Sequence, residues 1–320
     1  MAGAIPRRGL DMTRDRNHFA RSILAASDLS EASDEAVQQA ARIARRGGAV
    51  FHVVSAYPAP ETGLTGATKG PSDAVTSEVQ SALLVQLRRI LGKDEQPATA
   101  EIRFGSPASV ILERAREVGA ELLVLGVHRG REVQAEFLGT TADKVLRSAE
   151  VPCLALRRPV PIPIGCIGVA TDFSTAGDRA VDLGMEWGKW LGGNDGEGSA
   201  RLHVVHVLDP AREAELDECQ ARLTNNVEAH AAGWASQRSP QITSEILLGS
   251  DPATELVGLA QRKEIQLLVV GTHRKSAWQR SNLGSVSSAL ARRSHSPVLL
   301  VPAAAGAVDA NALNSDPPAG

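Results

Sequence analysis

The chain repeats itself once, and that repeat constrains its fold more than any other feature. SILAASDLS (22–30) aligns with IGVATDFS (167–174), placing Asp28 opposite Asp172, 144 residues on. VFHVVSA (50–56) aligns with RLHVVHV (201–207). FGSPASVILERAREVGAELLVLGVHR (104–129) aligns with LGSDPATELVGLAQRKEIQLLVVGTHR (248–274). One inserted residue, in GSDP against GSP, moves the offset from 144 to 145, where Gly126/Gly271, Gly139/Gly284 and Pro152/Pro297 hold it. A period this long is a domain rather than a solenoid unit. Domain one is expected over 21–158 and domain two over 164–303. Pro159, Pro161 and Pro163 stiffen a connector at 159–163, short enough to make the halves pack together. Loose tails are expected over 1–20 and 304–320.

Each copy alternates strand and helix. Residues 22–27 are apolar on both faces, as a buried parallel strand requires. Ser30 is an N-cap, Ala36, Val37, Ala40, Ile43 and Ala44 recur at helical spacing, and Gly47-Gly48 ends the helix. Further strands are expected at 50–57, 99–104, 121–126 and 152–157, with a helix over 74–91. Ser106-Pro107 and Asp251-Pro252 each pair an N-cap with proline at the first helical position. The second copy follows the same plan, with strands at 265–271 and 297–302. Such alternation predicts α/β domains with parallel sheets and helices on both faces.

Composition narrows the function classes. Of 320 residues, 43% are hydrophobic and 22% charged, enough to build sizeable cores. The net charge of -3 argues against nucleic acid or an anionic membrane surface as partner, and 3% aromatics against a base-stacking platform. No apolar run approaches the roughly 20 residues of a membrane span. The N-terminus has no secretory apolar core, and Cys153, Cys166 and Cys219 follow no metal or disulfide spacing, so a reducing cytoplasm is the expected location. The P-loop, the dinucleotide G-x-G-x-x-G and the G-x-S-x-G elbow are missing. His203 and His206, three apart on a strand, point to opposite faces and cannot chelate together. Nothing supplies an evident nucleophile or general base.

The distinctive residues gather at strand ends, where open α/β sheets bind ligands. Asp28 and Asp172 end the first strands; Gly126 and Gly271 end the fourth. From each glycine runs G-x-H-R, nine residues, then G-[ST]: Gly139-Thr140-Thr141 and Gly284-Ser285-Val286. A glycine at a strand end admits close approach to the backbone. A helix opening with Gly-Thr-Thr or Gly-Ser-Val offers free N–H groups and its positive dipole end to an anion. Each feature also has a structural reading. Asp28 and Asp172 can cap the next helix, the glycines can simply end strands or start helices, and Arg129 and Arg274 can pair with surface carboxylates. His128 and His273 read as structural or solvent-facing.

On these residues both copies resemble the universal stress protein family. That family opens its domain with a strand ending in Asp and closes it with G-x2-G-x9-G-[ST] and a last strand after Pro. The last strands here are VPCLALRRP and SPVLLVPA. The resemblance implies two Rossmann-like domains, akin to adenine nucleotide alpha hydrolases, each a five-stranded parallel sheet of order 3-2-1-4-5. It implies an adenine nucleotide site: ATP, or ADP or AMP, with Mg as a companion left open. Ala26, Asp28 and Ala56, and Ala170, Asp172 and Val207, would receive the adenine. Leu125, Gly126, Gly139, Thr140 and Thr141, and Val270, Gly271, Gly284, Ser285 and Val286, would hold ribose and phosphates. It also implies a stress-response regulator, working with unidentified protein partners rather than by turnover. The family's last strands dimerise, so 152–157 and 297–302 are expected to meet in an intramolecular pseudo-dimer; a homodimer of tandem chains stays open.

One departure stands in both copies: the second motif glycine is Arg129 in one and Arg274 in the other. Such an arginine either grips phosphates or closes the pocket, and the second outcome would leave a protein-interaction module. Glu132 and Glu136 in the first loop, against Lys275 and Arg280 in the second, favour the second copy as the anion site.

Overall fold

The computed structural model describes residues 20–57, 73–92, 97–127, 138–193, 200–232, 240–272 and 284–303. The first half runs β1 (Ser22–Ser27), α1 (Glu31–Gly47), β2 (Val50–Tyr57), α2 (Asp73–Leu91), β3 (Thr99–Phe104), α3 (Pro107–Glu117), β4 (Leu122–Gly126), α4 (Thr140–Ser148) and β5 (Cys153–Leu156). The second half runs β6 (Cys166–Ala170), α5 (Thr175–Leu191), β7 (Arg201–Leu208), a 3-10 turn at Pro210–Glu215, α6 (Leu216–Ala231), β8 (Gln241–Leu248), α7 (Pro252–Arg262), β9 (Leu267–Thr272), α8 (Ser285–Arg293) and β10 (Val298–Pro302).

Local signals account for the boundaries. The Ser30 hydroxyl accepts from Ser33 N, and Gly48, at φ 69°, ends α1 by donating to the Ala44 carbonyl. Pro107 and Pro252 both open their helices, but only Asp251 caps with its side chain; Ser106 makes no such bond. β9 outruns its expected end by one residue. Thr272 pairs with Pro302 of β10, so Gly271 lies inside the strand rather than at its tip.

The ten strands form one sheet in the order β3-β2-β1-β4-β5-β10-β9-β6-β7-β8. Pairing is parallel within each half. At the seam β5 and β10 run antiparallel, in the register Val298↔Ala155, Leu299↔Leu154 and Leu300↔Cys153. Strands of the two halves therefore run in opposite directions. One apolar layer contains residues of α1, α2, α5 and α6, the other residues of α3, α4, α7 and α8, and each layer continues across the seam. The connector takes part: Val160 and Ile164 are buried, and Val160 N donates to Gln39 Oε1 at 3.0 Å. Arg46 in α1 donates to the carbonyls of Trp190 (3.2 Å) and Gly192 (2.9 Å) at the end of α5.

Candidate functional site

In each half β1 or β6 is central, and the strand order reverses beside it, between it and β4 or β9. The turn leaving the central strand is built alike in both halves. Leu29 (φ 64°) and Phe173 (φ 60°) take left-handed conformations. Local side chains hold them there: Leu29 N donates to Ser27 Oγ and Phe173 N to Thr171 Oγ1, each at 3.1 Å. Asp28 Oδ1 accepts from Ser30 N at 3.1 Å and also from the Ser30 hydroxyl. Asp172 Oδ1 does the same with Ser174. Each Asp thus orients the serine that caps the next helix, while remaining exposed at the end of the central strand. Capping and ligand contact are compatible roles for one carboxylate.

Gly126 and Gly271 have a different reason to be glycine than ligand approach. A Cβ on Gly126 would lie 2.3 Å from the Ala32 carbonyl oxygen; on Gly271 it would lie 2.6 Å from the Ala176 carbonyl carbon. The first turns of α1 and α5 occupy that space. These glycines let the helix start press against the strand end.

The next motif glycines precede α4 and α8. Gly139 has φ 77°, a conformation that favours glycine, whereas Gly284 has φ -50°. Neither helix start has a side-chain cap hydrogen bond. Thr140 and Ser285 are exposed and Thr141 and Val286 half-buried. Ala26, Ala56, Ala170, Val207 and Val286 are partly buried against the layer of α3, α4, α7 and α8, and Leu125 and Val270 are buried in it. Ala26, Ala56 and Leu125, and Ala170, Val207 and Val270, thus share one face of the sheet near the carboxyl ends of its strands, whereas Gly126 and Gly271 turn to the opposite face, against α1 and α5.

Charge distinguishes the two helix starts. Asp143 lies in the first turn of α4 and accepts from Arg147 Nε (2.6 Å) and Nη2 (2.9 Å) and, across the seam, from Arg292 Nη2 (3.2 Å). Burial works against its ionisation, but the two guanidinium groups prevail and hold the carboxyl below its ordinary range. The position corresponding to Asp143 in α8 is Ser288, and the first turn of α8 carries no acid.

The second half adds a feature that sequence reasoning missed. The Phe173 ring lies 4.6 Å from the His206 ring, and the Arg222 guanidinium sits 4.4 Å over Phe173. His206 Nδ1 donates to the Thr171 carbonyl at 2.9 Å, which fixes its tautomer. His203 instead bonds Thr243 Oγ1, at 2.6 Å. The available signal was a phenylalanine directly after the motif Asp, where the first half has Leu29.

Arg129 and Arg274, with His128, His273, Glu132, Glu136, Lys275 and Arg280, lie outside the described residues. Among the described residues no group of three or more His, Cys, Asp or Glu side chains is placed to hold a metal, and no helix is long and apolar enough to cross a membrane. A small cleft lined by Ala20, Glu121, Leu122, Pro152, Leu183, Glu186 and Trp187 lies where the amino ends of β1 and β4 meet α5 of the second half.

Comparison with known proteins gives the same organisation. Universal stress protein Rv1996 of Mycobacterium tuberculosis is 26% identical over 313 residues, covering 87% of this chain and 94% of its own. A universal stress protein of Mycolicibacterium smegmatis is 27% identical over 311 residues, covering 87% and 96%. The crystal structure of a universal stress protein from Archaeoglobus fulgidus superimposes with a TM-score of 0.66 at 19% identity, covering 88% of this chain and 98% of that one. The family model described as "Universal stress protein family" matches twice, over residues 20–157 and 165–302. With two such domains filling the span from 20 to 302, the chain belongs to the universal stress protein family as a tandem member.

Proposed function

We propose that this tandem universal stress protein binds an adenine nucleotide, ATP foremost, at the switch-point crevice of one or both halves, and acts as a stress-response regulator rather than as a turnover enzyme. The observation that carries this reading is the repeated pairing of an exposed Asp at the end of the central strand with an uncapped helix start on the neighbouring side of the switch point. An uncapped helix start presents N–H donors and a positive dipole end to phosphate. The Asp carboxylate can accept from an exocyclic amine or a ribose hydroxyl. The start of α8, with no acid in its first turn, is the better of the two for polyphosphate.

Proline at the first helical position tests the reading. Gly139 and Gly284 have ψ 138° and 145°, as a residue before proline requires, so Thr140→Pro and Ser285→Pro each delete one amide and one hydroxyl while leaving the helix intact. In calorimetric titration of the full chain with ATP, Ser285→Pro is expected to weaken binding about tenfold or more, and Thr140→Pro less. Absence of heat with ATP, ADP and AMP at millimolar concentration in the unaltered chain would overturn the proposal.

A further inference from the structure

The helices that cover the two halves are held by the same device, with one chemical difference. In the first half Asp34 of α1 accepts from two side chains of α2: Gln86 Nε2 and, at 2.6 Å, Arg89 Nη2. In the second half Asp178, 144 residues on, accepts from Asn226 of α6 at 2.9 Å. The cation that follows the amide is here a histidine. His230 Nδ1 lies 2.8 Å from Asp182 Oδ1, and its Nε2 lies 3.7 Å from Asp178 Oδ1. A second acid has been added for it. The position equivalent to Asp182 is Gln38 in the first half, whose side chain bonds the Ile90 carbonyl instead.

This clasp matters to α6 because few of the helix's side chains are buried. Its buried side chains are Leu223 and Val227, whereas α2 buries Leu83, Gln86, Leu87 and Leu91. Among the described residues, the charged groups facing His230 are the two α5 carboxylates. β8 turns Ile242 and Ile246 toward this layer. β7 packs Leu202 and Val204 into it, and its His206 sits at the far end beside Phe173 and Arg222.

We propose that the second half carries a proton-operated clasp: protonated His230, seated between Asp182 and Asp178, fastens α6 to α5, and deprotonation loosens that helix while the arginine-based clasp on α2 stays closed. The proposal does not depend on nucleotide binding. Its direction follows from the charges. The hydrogen bond to Asp182 and the two negative charges outweigh burial and raise the His230 pKa above 6.5. Stabilisation is then fully present below pH 6.5 and is lost as pH rises through the higher folded-state value. A guanidinium group does not lose its proton in that range.

Two measurements on the full chain test it. Histidine ring C–H resonances are followed by NMR between about pH 5 and about pH 9, with His230→Gln assigning the signal. The His230 midpoint is expected above 6.5 and is expected to fall in Asp182→Asn. Hydrogen exchange, corrected for the intrinsic pH dependence, is measured in α6 and α2 peptides between about pH 6 and about pH 8.5. Protection of α6 is expected to drop about tenfold while that of α2 holds, and His230→Arg is expected to remove the drop. A midpoint at or below 6.5, unchanged α6 protection, or an equal loss in α2 would overturn the proposal.

Discussion

At the scale of single residues, glycines that look interchangeable in the motif serve different ends. Gly126→Ala and Gly271→Ala put a methyl group into the backbone of the facing helix start, and each is expected to cost about 1–3 kcal/mol. Gly139→Ala meets open space but a φ of 77°, at about 1–3 kcal/mol. Gly284→Ala, at φ -50° with Ser287 Oγ 3.4 Å away, is expected to be neutral within about 0.5 kcal/mol. Urea denaturation of the four variants checks this ranking, and equal losses at Gly139 and Gly284 would contradict it. The sequence marked all four positions as special, through spacing alone. It could not say that Ala32 and Ala176 occupy the space beside two of them, because that contact joins elements about 95 residues apart in the chain. The left-handed turn at Leu29 and Phe173 was equally hidden, since neither residue type announces a positive φ.

Among elements, apolar runs, helical spacing and cap residues located the five strands of the first half and its first two helices to within a residue or so, and marked where α3 and α4 begin but not where they end. The short turn at Pro210–Glu215 went unread; the first-half stretch that would match it, 58–72, lies outside the described residues. The seam contact between α4 and α8 was also illegible, as it depends on Arg292 reaching Asp143 from the other copy. That contact makes a prediction. Asp143→Asn removes charge-assisted bonds to two arginines and is expected to cost about 1–2 kcal/mol at neutral pH. Because the folded-state pKa of Asp143 is depressed, its stabilisation is present above pH 3.8 and fades as pH falls through the lower folded value. Denaturation of variant and parent should therefore converge in acid. A gap that persists at low pH would assign the effect to packing.

For the whole molecule, the duplication was the most legible fact, and the single ten-stranded sheet is its outcome. Each half alone would expose β5 or β10, whose Leu154 and Leu299 are fully buried opposite each other at the seam. Separately expressed halves are expected to self-associate or to recombine when mixed, because an unpaired apolar edge strand seeks a partner. Sedimentation of each half and of the mixture at micromolar concentration checks this. Halves that stay monomeric together would show that the connector, not the strand pair, holds the molecule.

The antiparallel seam has a consequence for the proposed function. With parallel strands in each half and reversed direction across the join, the carboxyl-end rims of the two halves lie on opposite margins of the slab. Under the proposed function, a nucleotide leaving one half would face bulk solvent, not the other half. A rigid reader seated on one margin would then sense the loading of one half, and sensing both would require two readers or one that wraps around an outer edge, at β3 or β8.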